Sequence, residues 1–309
     1  MKIGFLFPGQ GSQYVGMGRD FFNQYNSARE LYQQADDVLG TEISKISFSG
    51  PEKVLRETQN AQVAILLHSL AVFNILIENG ITPYILAGHS SGEYSAIIAA
   101  GGISTMDGIR LLRKRGELMS SSSKVSSGHM AAIVGLSAEK VEQICREVSS
   151  AGLVNVANYN APDVIIISGS LKAVGEAVKL AKKLGATRSR FIAVDGAFHS
   201  PLMKEASDAF LQIVKELPMR KLDYPIIANS NAAALQKAEE VRKEIEEHML
   251  SAVQWQRTIE LMFKLGVEKF IEVGPGKVFK GLALRINRQL EVLTTSTVDE
   301  LTGTIKILG

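Results

Sequence analysis

Short apolar runs ending at glycine or proline alternate along this chain with longer stretches in which apolar positions return every three or four residues. That is the pattern of buried strands exchanged with helices. Ile3 to Phe7 is the first such run and stops at Pro8-Gly9, which predicts a core strand rather than a signal peptide. Ser27 to Leu39 places Ala28, Leu31, Tyr32, Ala35 and Val38 on one helical face. Ser27 and Glu30 have the spacing of a capping box there, and Gly40 is the stop. Gln62 to Glu78 reads as a second, mostly buried helix. Ile85 to Ala87 reads as a strand of the parallel-sheet kind, leading to a helix-like stretch from Glu93 to Ala100. Ser104 and Asp107 open a further helix running to about Met119. Ser120 to Ser127 is the one shift in composition and a candidate hinge or linker.

Beyond that segment the rhythm changes. Met130 to Val134 reads as a strand and Ala138 to Val148 as a helix with Val141, Ile144, Cys145 and Val148 on its apolar face. Strand Leu153 to Ala157, a turn at Asn160 to Asp163 and strand Val164 to Ser168 follow. A helix from Leu171 to Leu184, closed by Gly185, and a strand from Ser189 to Val194 complete the set. The order βαββαβ is the ferredoxin-like arrangement, expected as an insertion over about residues 125–196. The chain then returns to alternating α/β, with strand Lys269 to Val273 and the turn Gly274-Pro275-Gly276. An α/β body over 1–124 and 197–309 carrying such a lobe makes a cleft between the two.

Composition narrows the classes without choosing one. Of 309 residues, 46% are hydrophobic and 21% charged, an ordinary globular mixture. A formal net charge of +2 argues against nucleic-acid binding driven by bulk charge. The single cysteine, Cys145, excludes an internal disulfide and a cysteine-based metal cluster. No metal-ligand spacing, phosphate-binding loop or dinucleotide fingerprint is present. The most apolar window, Val63 to Ile77, is interrupted by His68, Ser69 and Asn74 and is short for a bilayer. The expectation is a cytoplasmic protein with neither membrane nor nucleic acid as partner.

Three residues point to chemistry. In Ala87-Gly88-His89-Ser90-Ser91-Gly92-Glu93 a serine stands at the apex of a strand–turn–helix bend. A serine hydroxyl is a poor nucleophile and must be pushed out where a base and a carbonyl can reach it. Gly88 and Gly92 relieve the crowding of that bend, and the Ser91 amide is placed to stabilise an oxyanion. A glycine-rich loop capping a helix with serine accounts for the same residues. Histidine is the usual base. His68 sits in an apolar helix and His248 in an acidic one, so packing or solvation accounts for both. His89 lies inside the turn, where neighbouring side chains point apart, and His129 begins a strand at the lobe junction. His199, in Asp195-Gly196-Ala197-Phe198-His199-Ser200-Pro201, falls where the chain crosses back to the body and can face the cleft; capping a helix N-terminus is the other reading. Arg115 lies within the apolar stripe Leu111, Leu112, Leu118, Met119, opposite a solvated face of Arg110, Arg113, Lys114 and Glu117. A guanidinium there needs an anion, either a structural carboxylate or a substrate carboxylate held by two parallel hydrogen bonds.

Taken in order, six motifs resemble the malonyl-CoA:acyl carrier protein transacylases and the acyltransferase domains of fatty-acid and polyketide synthases. They are Phe7-Pro8-Gly9-Gln10-Gly11-Ser12-Gln13, Gly88-His89-Ser90-Ser91-Gly92-Glu93-Tyr94-Ser95-Ala96, Arg115-Gly116, Ala197-Phe198-His199-Ser200, Val253-Gln254-Trp255 and Glu272-Val273-Gly274-Pro275-Gly276. The resemblance spans about Ile3 to Ile286 and implies a hydrolase-like body with a ferredoxin-like lobe. It also implies Ser90 as the acylated nucleophile, His199 as its base, and Gln10 beside Ser91 as oxyanion donors, although Gln10 alone reads as a glycine-flanked turn. Arg115 resembles the arginine that pairs with a malonyl carboxylate. Gln254 resembles an active-site glutamine, near which a backbone carbonyl orients His199 in place of a triad aspartate. Asn160 matches an asparagine near the pocket, a position a turn explains equally well, and Phe198 matches the malonyl-selective form, leaving little room for an α-methyl branch. Two positions depart from the pattern: Ser91 stands where leucine is usual, and Val164 where glutamine often follows the asparagine turn. Both bear on acyl selectivity and on the balance of transfer and hydrolysis.

The activity so implied is ping-pong transfer of malonyl from malonyl-CoA to the phosphopantetheine thiol of an acyl carrier protein, with no cofactor and no metal. The competing classes are an editing acyl hydrolase, or an acyltransferase of other acyl specificity in a polyketide pathway. Basic runs at Lys179, Lys182, Lys183, Arg188 and Arg190 and at Lys277, Lys280 and Arg285 suit an acidic carrier or, equally, a solvated face.

Overall fold

The computed structural model describes residues 1–126, 128–194 and 196–309. β1 (Ile3–Phe7) is followed by α1 (Arg19–Gln24), α2 (Asn26–Leu39), α3 (Ile43–Ser49), α4 (Glu52–Arg56) and the long α5 (Thr58–Glu78). Next come β2 (Ile85–Gly88), α6 (Ser91–Ala99) and α7 (Thr105–Ser126). A middle section holds β3 (Gly128–Val134), α8 (Ala138–Glu147), β4 (Val154–Ala161), β5 (Val164–Ser170), α9 (Leu171–Lys183) and β6 (Arg188–Phe191). The remainder is α10 (Lys204–Glu216), β7 (Ile226–Ile227), β8 (Ala234–Leu235), α11 (Ala238–His248), α12 (Trp255–Lys264), β9 (Lys269–Glu272), α13 (Val278–Ile286), β10 (Val292–Thr294) and α14 (Val298–Leu308).

Strands of the first and last sections form one sheet in the order β10-β9-β1-β2-β7-β8, parallel throughout except for β8 on β7. β1 lies inside it and is buried on both faces, which is why its sequence is apolar without alternation. Phe5 and Phe7 pack toward Phe73 of α5, whereas Leu6 joins Trp255, Ile259 and Met262 of α12 on the other side. α5 is long and apolar enough, at a mean hydropathy of 1.7, to cross a membrane, but 89% of that window is buried inside the molecule as its central packing helix. The middle section makes a separate antiparallel sheet, β4-β5-β3-β6, with its own apolar cluster against α8 and α9. The two sheets are joined beside β4: Tyr159 N–H donates to the Val253 carbonyl at 2.9 Å, and Val253 N–H to Ala157 at 2.8 Å.

Several local expectations are corrected. α2 begins at Asn26 behind Tyr25 with no side-chain cap bond, so Ser27 and Glu30 form no capping box, while Gly40 does end it in the left-handed region at φ 59°. The candidate hinge from Ser120 is helical as far as Ser126, and Ser127 lies outside the described residues. Helical hydrogen bonding and the Ser123 hydroxyl, which donates to the Met119 carbonyl at 2.7 Å, override the serines' preference for loops. Asn160 and Ala161 belong to β4, held by the ladder to β5 through a bulge, so the turn narrows to Pro162-Asp163. Arg113 is not on a solvated face: it is half-buried and donates to Asn60 Oδ1 at 2.6 Å.

Candidate active site

β2 brings the chain to the carboxyl edge of the parallel sheet and α6 leaves from it, with Ser90 between. Ser90 has φ 51° and ψ −115°, a backbone that a residue with a Cβ rarely adopts. The bend closes because glycines let backbones touch. A Cβ on Gly88 would stand 2.0 Å from the Gly92 carbonyl oxygen, and one on Gly92 2.1 Å from that of Phe7.

His199 reaches this bend from the loop after β6, also with a positive φ of 55°. The Ser90 hydroxyl is 2.8 Å from His199 Nε2. Nδ1 lies 2.9 Å from the Ser251 carbonyl and 3.2 Å from that of His248. A carbonyl can only accept, so Nδ1 carries the proton and Nε2 offers its lone pair to the serine. Burial first, then the Arg115 cation and the neighbouring His89 ring, push His199 down to about 3, keeping the ring neutral near neutral pH. Ser200, not His199, caps the turn at Pro201–Met203, accepting from Leu202 N–H at 3.3 Å.

The pair opens into a cavity of about 290 Å³ lined by Gln10, Gln62, Asn160, Phe198, Phe279 and Leu282 among others, beside a larger cleft of about 870 Å³ that shares Val194 with it. Arg115 is fully buried but does not itself line the cavity. Its Nη1 donates to Gln62 Oε1 at 2.9 Å, and its guanidinium carbon sits 5.0 Å from the Tyr94 ring centre. Nε and Nη2 have no hydrogen-bond partner among the described residues. Gln62 therefore stands between a half-satisfied cation and the cavity. Gln10 N–H donates to the Ser91 hydroxyl at 3.2 Å, and its side chain donates to Thr58 at 3.2 Å. No group of three or more metal-binding side chains occurs among the described residues.

A nucleophile turn of this kind with a carbonyl-held imidazole suits acyl transfer through an ester. Residues 4–291 match the acyl transferase domain family. The chain belongs to that family. The acyl transferase is 41% identical over 308 residues to the malonyl CoA-acyl carrier protein transacylase of Bacillus subtilis, covering 99% of this chain and 97% of that protein. Its fold superposes on the acyl-carrier-protein S-malonyltransferase of Bartonella henselae with a TM-score of 0.96 at 39% identity over 100% of both chains. It is equally close in fold to a malonyl-transacylase solved in complex with its type II PKS acyl-carrier protein: TM-score 0.96, 32% identity, 99% of this chain and 100% of that one.

Within this acyl transferase, Ser90, His199, Gln10, Phe198 and Asn160 all line the cavity, and Ser91 begins α6 beside it. Gln254 does not line the cavity. It stands before α12, with its N–H on the Asn229 carbonyl at 2.8 Å, and the neighbouring carbonyl that holds His199 is that of Ser251, joined by that of His248. Val164 opens β5 away from the cavity, so that departure leaves the pocket wall untouched.

Two histidines set aside on sequence grounds belong to the site. His89 lines the cavity with Nε2 2.8 Å from Asn160 Oδ1. His248 is fully buried behind His199, with Nε2 within 3.1 Å of Glu93 Oε2 but not aligned as a hydrogen bond. Burial, then Glu244, pushes Glu93 well up, while burial, then Arg115, pushes His248 well down, so burial disfavours the charged form of each. The signal available for His248 was its position at the end of α11, three residues before the Ser251 carbonyl.

Proposed function

We propose that this acyl transferase carries malonyl from malonyl-CoA to the phosphopantetheine thiol of an acyl carrier protein through an ester on Ser90. The observation that carries the reading is the 2.8 Å approach of Ser90 to a neutral His199, with a buried, half-satisfied Arg115 behind the same cavity. The Ser90 oxygen attacks the thioester carbonyl while its proton passes to His199 Nε2. The Ser91 and Gln10 amides receive the developing oxyanion, which requires Gln10 N–H to turn from the Ser91 hydroxyl. The C–S bond then breaks and CoA leaves as a thiol with the proton from His199. The carrier thiol repeats these steps in reverse, freeing Ser90. Arg115 grips the malonyl carboxylate once Gln62 yields, and the bulk of Phe198 disfavours an α-methyl branch. The chemistry needs no cofactor.

The middle section is read as a ferredoxin-like lobe over about residues 125–196, inserted into a hydrolase-like body of 1–124 and 197–309, and the protein as cytoplasmic. Of the basic residues suited to an acidic carrier, Lys179, Lys277 and Arg285 are already engaged by Glu176, Glu300 and Asp163 at 2.9, 2.6 and 2.6 Å. That leaves less free charge than the sequence suggests.

Transfer is tested against hydrolysis by incubating the enzyme with malonyl-CoA with and without carrier protein bearing its phosphopantetheine arm. Most malonyl should reach the carrier. Free malonate as the main product with carrier in excess would make the protein an editing hydrolase.

A pH profile follows from His199. The base works only when neutral, and its folded-state value lies below the ordinary imidazole value. The neutral form therefore persists as pH falls through 6.5 and is lost only as pH approaches about 3. kcat/KM for malonyl-CoA, measured from pH 7.5 to 5, should lack the acid limb of an ordinary histidine. A midpoint between 6 and 7 would show the ring to be solvated in the working enzyme.

A further inference from the structure

We propose that Asn229 is a positioning residue for Ser90, its side-chain amide clamping the nucleophile turn at both ends. The inference rests on Ser90 being the nucleophile. β7 pairs with β2 only at Leu86–Ile226 and Ala87–Ile227, after which β2 bends and the ladder ends. Asn229, two residues beyond β7, takes over with its side chain. Its Nδ2 donates to the Gly88 carbonyl at 2.6 Å, and its Oδ1 accepts from Ser90 N–H at 2.8 Å. Its own N–H donates to Glu93 Oε1 at 3.0 Å and its carbonyl accepts from Gln254 N–H at 2.8 Å. With 1% of its surface exposed, the residue is held from all sides.

The strained backbone of Ser90 persists only if its surroundings over-determine it. The clamp supplies that constraint with polarity in one sense only: Ser90 N–H needs an acceptor and the Gly88 carbonyl needs a donor. A primary amide meets both needs. An ionised carboxylate meets one and repels the other, whereas a protonated carboxyl again meets both. Loosening the turn swings the Ser90 hydroxyl off the His199 lone pair, and a misplacement of about 1 Å costs on the order of a hundredfold in rate.

The test compares wild type, Asn229→Ala, Asn229→Asp and a Ser90→Ala control. An alkyl fluorophosphonate, which labels an activated serine without any malonyl group, serves as first probe, and malonyl-CoA kinetics as second. Asn229→Ala should melt cooperatively yet lose about ten- to a hundredfold in labelling rate and kcat, with KM within about twofold. Asn229→Asp should be slow at pH 8 and recover as the new carboxyl, flanked by Glu93 and beyond it Glu244, takes up a proton at lower pH. Wild type lacks that limb. Labelling and kcat of Asn229→Ala within twofold of wild type, or an Asn229→Asp profile parallel to wild type, would overturn the proposal. Fluorophosphonate labelling of Ser90 without any malonyl adduct would instead count against the malonyl reading and leave the clamp standing.

Discussion

Ser90→Ala should form no covalent malonyl adduct on incubation with malonyl-CoA and should lose at least about a thousandfold in transfer to the carrier. In serine hydrolases with comparable machinery, removing the nucleophile costs roughly a millionfold in kcat, the residual rate coming from oxyanion donors and binding. The same scale applies because Ser90 is the hydroxyl that meets His199 Nε2 among the described residues. The neighbouring Ser91 hydroxyl is buried and accepts from Gln10 N–H, so it is turned away from His199. Intact-protein mass before and after mixing with malonyl-CoA reads the adduct directly. The fold should survive the change, since the Ser90 side chain contributes no capping bond to α6. An adduct that persists in Ser90→Ala would place the nucleophile elsewhere and remove the ping-pong reading.

Arg115→Ala should erase most of the preference for malonyl over acetyl thioesters. A charge-assisted hydrogen bond is worth roughly 1.5–3 kcal/mol, so two parallel bonds to a carboxylate give a selectivity of about a hundredfold or more. Acetyl has no carboxylate and should gain or hold, while malonyl loses. The guanidinium has capacity to spare, with Nε and Nη2 unpartnered among the described residues and Nη1 on Gln62. A buried cation in that state is costly unless an anion completes it. Arg115→Lys should rescue little, because an ammonium cannot reproduce the planar fork. The measurement is kcat/KM for malonyl-CoA and acetyl-CoA in parallel. An unchanged ratio would assign Arg115 to packing against Tyr94 alone.

Much of this site is legible in the sequence because its parts sit in short local patterns. A serine between glycines after an apolar run announces a bend, and the requirement is local: Gly88 and Gly92 touch backbone that no side chain could share. Arg115 betrayed itself by interrupting an apolar stripe. His248 and Asn229 could not be found that way. His248 lies on an acidic helix and is buried only because α11 packs its far face against Glu93 and Tyr94. Asn229 acts through the end of a two-residue strand whose pairing with β2 is purely tertiary. Gln254 itself does not line the cavity, while the neighbouring backbone carbonyl expected to orient His199 is that of Ser251, with His248 beside it. The carbonyls that meet His199 lie upstream, where the chain turns between α11 and α12.

The sequence by itself determined the alternation of elements, the apolar inner strands, the apex serine, the histidine at the return crossing and the arginine on an inner face. Each of these follows from local sterics or from the free-energy cost of burying the wrong group. Only the tertiary structure decided which nitrogen of His199 faces Ser90, what holds that ring, what stands between Arg115 and the cavity, and what keeps the bend closed. Those questions turn on hydrogen bonds between segments far apart in the chain, formed only when the parallel sheet and the second sheet pack together, and no periodicity along the sequence encodes their partners.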